Sequence, residues 1–199
     1  MSTLEFKYYS ITDAAINGDL EQIQLMHKNG YELSNLVAIL AGKYGHLDCL
    51  KYAHQNGVPL DDIITSKIAM NGHLDCFNYV IKMGCHWHPL TTFWAAKNGH
   101  LDCLKFAVEN NCKWNYETTR RAAEHGHINC LEFAIQNQLL IHPLTAVEAL
   151  RNNQMECFEY LLGTEIFSWD NNFDYYLPKL ISENLLLKTR KWINEKLNL

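Results

Sequence analysis

Residues 45–57 read GHLDCLKYAHQNG, and the chain repeats this stretch with few changes. Related stretches start at Gly18, Gly72, Gly99, Gly126 and Asn153. Each start follows the previous one by 27 residues, without slippage. A fixed period of this size is typical of a solenoid, in which each repeat packs on its neighbours to bury a shared core.

Within each copy, apolar residues recur with the period of an α-helix. In the copy that starts at Gly99, the apolar side chains include Leu101, Leu104 and Val108. This spacing predicts a helix that is buried on most sides. We expect each such helix to end at a residue in the left-handed conformation, which Gly30, Gly57 and Gly84 adopt without strain. Gln138 fits that conformation poorly, so we expect its turn to fray or to differ.

A second helix is predicted before each copy. Its start signals are Ser34, Asp61 and Asn115 as N-caps, and Pro89 and Pro143 as first helical residues. Pairs of small residues follow at Ala14–Ala15, Ala41–Gly42, Ala95–Ala96 and Ala122–Ala123. Small side chains let neighbouring helices approach closely. We therefore predict an all-α solenoid of about seven antiparallel helix pairs, each joined to the next by roughly four to six residues.

The repeats run through the chain without a linker-like segment, so we predict a single domain over residues 1–199. Residues 1–30 are expected to form an N-terminal capping repeat and residues 31–165 the central repeats. Beyond these residues the repeat pattern is no longer recognisable. Residues 166–199 are expected to form degenerate C-terminal capping helices, over 170–177 and 182–197.

Composition and charge restrict the functional classes. The 199 residues carry a net charge of −5, which disfavours nucleic-acid and anionic-membrane partners because both select basic surfaces. The start, MSTLEFKYYSITDAA, does not resemble a signal peptide. The longest apolar run, residues 36–41, is far shorter than the roughly 20 residues that span a bilayer.

Cysteine spacing indicates free thiols. Five of the seven cysteines stand at the same position of the repeat. Equivalent points on stacked helices lie about 8–10 Å apart, whereas a disulfide needs Cα atoms within roughly 7 Å. We therefore expect seven free thiols and a reducing, cytoplasmic compartment.

Residues 91–102, TTFWAAKNGHLD, carry a family likeness, because this stretch resembles the core of the ankyrin repeat. The resemblance recurs in phase over about residues 12–165. The ankyrin repeat usually has about 33 residues, and the shortfall here lies where its β-hairpin fingers would be. The stretches 85–87 and 112–114, Cys-x-Trp, are similar to shortened ankyrin arrays of large DNA viruses of amoebae. The resemblance implies a viral protein of the host cytoplasm that binds other proteins through helix faces and has no catalytic residues.

The repeated His-x-x-Cys motif has the ligand types of a zinc site, but one turn supplies only two of the four ligands that zinc requires. We interpret the cysteine as filling a small apolar site and the histidine as closing the inter-helix turn by a hydrogen bond to backbone. A nucleophile pair of Cys85 with His86 or His88 lacks an orienting group. No catalytic, cofactor or metal site is predicted.

Positions that vary between repeats are free to specify a partner, and they lie on the first helix of each pair. Trp, Tyr and Arg are frequent binding hot spots. The predicted partner-binding residues on the concave face are Tyr44, Lys67, Met70, Trp94, Lys97, Arg121 and His125. Two alternatives remain open: Trp94 and Tyr44 pack between helices, or the loops around Trp87 and Trp114 carry the binding.

The sequence therefore predicts a monomeric, non-catalytic module that binds a protein partner. One alternative is a structural subunit of a larger assembly. Another is a helical-repeat RNA-binding protein that stacks bases on Trp94 and Tyr44, although the acidic balance of the chain disfavours it.

Overall fold

The computed structural model describes residues 10–139, 141–142, 144–164 and Lys191. The capping helices expected over residues 170–177 and 182–197 lie outside the described residues, apart from Lys191. Pro143, expected to begin a helix, also lies outside them.

Twelve α-helices and no strand occur within the described residues. They are α1 Ile11–Asn17, α2 Leu20–Lys28, α3 Asn35–Lys43, α4 Leu47–Gln55, α5 Ile63–Asn71, α6 Leu74–Lys82, α7 Thr91–Lys97, α8 Leu101–Glu109, α9 Tyr116–Glu124, α10 Ile128–Gln136, α11 Leu144–Arg151 and α12 Met155–Gly163. These helices form six pairs, each made of an odd-numbered first helix and the even-numbered second helix that follows it. The prediction of an all-α repeat solenoid is confirmed.

The chain divides into two compact units, which we describe separately. Unit 1 is Met1–Trp114 and contains α1 to α8, whereas unit 2 is Asn115–Leu199 and contains α9 to α12. The repeat boundaries proposed from the sequence, at residues 1–30, 31–165 and 166–199, stay a prediction.

In unit 1 the first helices form one layer and the second helices another. Helix α1 packs on α3, α3 on α5 and α5 on α7, and α2, α4, α6 and α8 pack in the same succession. Small buried residues line the first layer. At Gly42, a Cβ atom would lie 3.2 Å from side-chain carbons of both Ile64 and Ile68. The small-residue pairs therefore do allow close helix approach in this unit.

In unit 2, α9 packs on α11 and on its own partner α10, and α12 contacts both α10 and α11. Ala122, Ala123, Ala146 and Ala149 are completely buried. The same small-residue layer therefore recurs in this unit.

The turns after α2, α4, α6, α8 and α10 each contain a residue in the left-handed conformation, which corrects one expectation. Gln138 adopts the left-handed conformation with φ 59°, as Asn111 does with φ 64°. Its backbone N–H donates to Ile135 at 2.9 Å, and that of Leu139 donates to Ala134 at 3.1 Å. These capping hydrogen bonds hold the turn, since one left-handed residue costs only about 1–2 kcal/mol.

The starts of the first helices are less regular than predicted. Asn115 is an N-cap as expected, and its side chain accepts from the backbone N–H of Glu117 at 3.0 Å. Helix α5, however, begins after Asp62 and not after Asp61. Helix α7 begins at Thr91, so Pro89 precedes it and is not its first residue.

Two of the four connections between pairs are longer than the roughly four to six residues predicted. The four connections span residues 29–34, 56–62, 83–90 and 110–115 in unit 1 and its boundary, which makes six to eight residues. In the longest, the backbone N–H of Thr91 donates to the carbonyl of His88 at 3.0 Å. An additional turn therefore forms before α7 begins.

Candidate functional site

A histidine at the start of α4, α6 and α8 ties successive repeats together in unit 1. The Nε2 atom of His46 donates to the carbonyl of Ile16 at 2.9 Å, and that of His100 donates to the carbonyl of Met70 at 3.1 Å. His73 makes the equivalent bond to the backbone of Lys43. A backbone hydrogen bond was predicted, and its acceptor belongs to the preceding repeat and not to the histidine's own turn.

The glycine of the motif accommodates the histidine of the next repeat. A Cβ atom at Gly45 would lie 2.5 Å from Nδ1 of His73, and one at Gly72 would lie 2.5 Å from Nδ1 of His100. Both glycines also have positive φ, 80° and 78°, which side chains disfavour. Two independent constraints therefore require glycine at this position.

These histidine bonds hold the surface where the partner-binding residues were predicted. The carbonyl that His73 engages belongs to Lys43, next to Tyr44. The carbonyl that His100 engages belongs to Met70. The invariant part of the repeat thus fixes the C-terminal ends of α3 and α5, and the varying side chains project from these ends.

Tyr44 is well placed for recognition. Its side chain is 39% exposed. The Nζ atom of Lys43 lies 4.7 Å from the centre of its ring and donates to its hydroxyl at 3.2 Å. The tyrosine therefore forms a small cation–aromatic unit at the end of α3.

Trp94 forms a second unit of the same kind on α7. Its indole is half-buried, and its neighbour Phe93 meets it edge to face, with the ring centres 5.1 Å apart. The Nζ atom of Lys97 lies 5.1 Å from the centre of the indole. Both interpretations of Trp94, as a partner-binding residue and as a residue that packs against neighbouring first helices, stay predictions.

Helix α5 lies between α3, which ends beside Tyr44, and α7, which carries Trp94. Its side chains Lys67 and Met70 are both half-buried. Lys67 makes no ion pair with any other described residue. Because α5 packs on both α3 and α7, five of the seven predicted residues occur on one run of three adjacent helices.

An exposed aliphatic row that the sequence interpretation missed lies on the same helices. Leu36, Ile63 and Leu90 are 48%, 38% and 44% exposed. They stand 27 residues apart, at the start of α3, at the start of α5 and just before α7. Their shared spacing was visible in the sequence, but an apolar residue that recurs in successive repeats is normally read as core.

We call these two sets of side chains together the first-helix surface. It consists of a lysine–aromatic row, Lys43, Tyr44, Lys67, Met70, Trp94 and Lys97, and the aliphatic row, Leu36, Ile63 and Leu90. Both rows belong to unit 1.

Arg121 lies in unit 2 and is engaged by carboxylates of its own helix. Its guanidinium lies 2.6 Å from the carboxylate of Glu124 and 3.5 Å from that of Glu117. Arg120 beside it binds Glu117 at 3.1 Å and reaches Glu148 of α11 at 3.2 Å. This face of unit 2 is therefore an ion-pair network in which positive and negative groups alternate.

His125, the other predicted residue in unit 2, is half-buried at the end of α9. Its Nδ1 atom donates to the carbonyl of Arg121 at 3.2 Å. Its ring stacks beside that of His127, with centres 6.5 Å apart and planes 13° apart. The Nδ1 bond fixes the tautomer, so the neutral ring presents Nε2 as an acceptor.

The tryptophan loops have structural partners. The Nε1 atom of Trp87 donates to the carbonyl of Asn110 at 3.2 Å, and its ring meets Phe77 edge to face at 5.4 Å. Trp114 is half-buried. Trp87 therefore anchors its loop, which leaves its indole less suited to binding a partner than that of Trp94.

The cysteines are all free thiols, and the structure does not favour reactivity. Burial raises the pKa of Cys103 to about 12 and, with nearby aspartates, that of Cys85 to about 11. The Sγ atom of Cys85 donates to the carbonyl of Leu60 at 3.4 Å. A thiol with so high a pKa is a poor nucleophile near neutrality.

Neither a metal-binding cluster nor a membrane-spanning helix is found in the part of the chain that the structure describes. There, no three or more His, Cys, Asp or Glu side chains are grouped so that they could hold a metal ion. None of the described helices has the length and apolarity that a membrane crossing requires.

Solved structures show the class of fold. The chain is similar to the human ASB11 ankyrin repeat domain, with a TM-score of 0.70 and 18% identity over 90% of this chain and 97% of that one. Identity at this level shows the fold alone, and the fold is ankyrin-like. No protein-family model matches the sequence, and no curated protein matches it. The likeness to the arrays of amoebal viruses therefore stays a prediction.

Proposed function

We propose that this chain is a non-catalytic interaction module whose first-helix surface binds a protein partner. The observation that carries this proposal is the placement of Tyr44 and Trp94. Each aromatic ring is partly exposed on a first helix and is covered on one side by a lysine. Tryptophan and tyrosine are among the residues most often found as binding hot spots.

The ankyrin-like fold supports this function. Repeat proteins stack their helix pairs into extended surfaces on which residues from several repeats contact one partner. In unit 1 the buried motif residues build the scaffold, whereas most positions of the lysine–aromatic row vary from repeat to repeat. Within each repeat, the residues that build the scaffold are thus different from the residues that are proposed to contact the partner.

We assign Arg121 and His125 a secondary role in this proposal. Arg121 already pairs with Glu117 and Glu124, and a partner would have to displace those carboxylates. A partner that binds Lys43, Lys67 or Lys97 of unit 1 displaces no carboxylate of the described residues. The main contact is therefore proposed for unit 1.

The setting of the protein is also part of the proposal. Seven free cysteines fit a reducing, cytoplasmic compartment. A monomer that acts in the cytoplasm of a virus-infected host is what the resemblance of the repeats implies.

A structural role in a larger assembly is the second candidate. The aliphatic row favours it, because Leu36, Ile63 and Leu90 would also be covered by a neighbouring subunit. Light scattering of the purified chain over a range of concentrations separates the two functions. A monomer at all concentrations favours the interaction module, and concentration-dependent assembly favours the subunit.

Site-specific photo-crosslinking tests the proposed surface. A benzophenone amino acid replaces Trp94 in one variant and the exposed Lys82 of the second helix α6 in a matched control. In cytosolic extract, we expect the probe at position 94 to capture a protein that the probe at position 82 does not. Capture from position 82 alone would place binding on the second helices and contradict the proposal.

A further inference from the structure

Charge is distributed unequally between the two helix layers of unit 1. The second helices α4, α6 and α8 each carry a carboxylate in the first turn, at Asp48, Asp75 and Asp102, together with one lysine, so their charges largely cancel. In contrast, α3, α5 and α7 contain three lysines and neither aspartate nor glutamate. A chain with a net charge of −5 therefore presents a locally cationic surface on α3, α5 and α7. Such a surface attracts and orients acidic partners.

These three lysines are not neutralised by carboxylates of the described residues. Lys43 and Lys97 lie over aromatic rings, and Lys67 makes no ion pair within the described ranges. A cation–aromatic contact leaves the positive charge uncompensated. Their ammonium groups remain able to form charge-assisted hydrogen bonds with a carboxylate from outside.

The charge of the first-helix surface also differs between the two ends of its helices. Asp61 and Asp62 are exposed just before α5, and Asp61 accepts from the side chain of Asn35 at 2.9 Å. Lys43 and Lys97 stand at the opposite, C-terminal ends of α3 and α7. The acidic groups of a partner are thus repelled from one edge of the surface and attracted to the other.

The aliphatic row favours a protein partner over a single-stranded nucleic acid. Lysines and aromatic rings together would suit a single-stranded nucleic acid, since bases stack on aromatic side chains. Leu36, Ile63 and Leu90 are exposed on the same helices, and branched aliphatic side chains offer no stacking surface. They are complementary to the apolar side chains of a protein.

We propose that the first-helix surface binds a linear protein segment that is both apolar and acidic. Its apolar side chains cover Leu36, Ile63 and Leu90, and its carboxylates pair with Lys43, Lys67 and Lys97. This inference rests on the proposed function, because it gives the chemistry of the partner that occupies the same surface.

Selection from a displayed library of random peptides tests this proposal without knowledge of the natural partner. Peptides of about 15 residues are long enough to cross three helices spaced roughly 10 Å apart. Three proteins serve as bait: the wild type, K43E/K67E/K97E, and the control K51E/K82E/K105E. The control makes the same charge change on second helices. Circular dichroism verifies that each bait is folded.

We expect the wild type and the control to enrich peptides with net negative charge and several large apolar residues. Binding of these peptides should weaken by at least about tenfold in K43E/K67E/K97E, with little change in the control, and should weaken further as salt is raised. If the triple variant does not fold, K67E alone and the salt series replace it.

Each contrary result has a separate meaning. Neutral or basic peptides that bind the wild type and are lost in Tyr44→Ala/Trp94→Ala would overturn the acidic partner and leave the interaction surface intact. Enriched peptides that ignore both the lysine and the aromatic changes, or no enrichment, would overturn the surface as well. Binding of a single-stranded oligouridine of about 12 nucleotides, lost in K43E/K67E/K97E, would identify a nucleic-acid partner instead.

Discussion

His100 donates a hydrogen bond from its Nε2 atom to the carbonyl oxygen of Met70, 3.1 Å away. His100 belongs to the repeated motif, and Met70 stands at a position that varies between repeats. The bond therefore joins the scaffold residues that recur in the repeats to the surface that is proposed to recognise a partner. In this chain the motif residues link adjacent repeats, and they do not themselves form the proposed binding surface.

Replacing His100 by alanine should destabilise the protein. The change leaves the carbonyl of Met70 without its donor and opens space beside Gly72. We expect a loss of about 1–3 kcal/mol in the free energy of unfolding, measured by urea denaturation. Gln24→Ala on the exposed face of α2 is a control and should change stability by less than about 0.5 kcal/mol.

A double-mutant cycle tests the contact between Gly72 and His100. Gly72→Ala should cost more stability in the wild type than in His100→Ala, because its new Cβ atom would lie 2.5 Å from the imidazole Nδ1. The strain of the positive φ at Gly72, 78°, is common to both backgrounds and cancels. Equal costs in the two backgrounds would show that the ring contact is unimportant.

The stability of the protein should fall in mild acid, partly through His73. Burial, opposed by the hydrogen bond to Lys43 and assisted by the charges of His100 and His46, lowers the pKa of His73 below its ordinary value of 6.5. The unfolded state then binds a proton more readily than the folded state. Stability is therefore full above pH 6.5 and decreases as the pH falls from there towards the lower folded-state pKa.

Urea denaturation between about pH 7.5 and about pH 5 measures this effect. The decrease should be smaller in His73→Gln, which retains a donor but does not titrate. Identical pH dependence in the wild type and in the variant would exclude His73 as a contributor.

The ion pair between Arg120 and Glu148 should stabilise unit 2. Burial disfavours the charged guanidinium, but the hydrogen bonds and charges of Glu117 and Glu148 outweigh it and raise the pKa of Arg120. The two side chains are only 27% and 15% exposed. A double-mutant cycle of Arg120→Ala and Glu148→Gln should give a coupling of about 1 kcal/mol, reduced by salt. A coupling near zero would mean that solvent screens the pair completely.

The thiols should resist alkylation while the protein is folded. With pKa values raised to about 11 at Cys85 and about 12 at Cys103, almost no thiolate exists near neutrality. We expect labelling by N-ethylmaleimide, followed by mass spectrometry, to be at least roughly a hundredfold slower than in urea. Cys85, which is half-buried, should react first, and Cys85→Ser should remove that first adduct. Fast labelling of the folded protein would contradict the raised pKa values.

Much of the fold could be predicted from the sequence because the repeat shows the same helical period several times over. The left-handed turn at Gln138 was not predicted, because its conformation is imposed by backbone hydrogen bonds to Ile135 and Ala134. The start of α7 was also misplaced. A proline signals a helix start only approximately, and here His88 and Thr91 form a turn before the helix.

Less of the candidate site could be predicted. The variable positions identified Tyr44 and Trp94, but the exposure of the aliphatic row depends on how α3, α5 and α7 pack. The cross-helix bond from Arg120 to Glu148 likewise depends on which helices are neighbours. Residues separated by 28 positions become partners only through the packing of α9 on α11.

The central claim is that the first-helix surface recognises a protein, and one comparison tests it most directly. Wild type and Trp94→Ala are used for affinity capture from cytosolic extract, and the captured protein is then titrated against each in purified form. We predict that Trp94→Ala weakens binding by about 2 kcal/mol or more, while its melting temperature hardly changes. Unchanged binding together with a large fall in melting temperature would show that Trp94 is a core residue and would contradict the account.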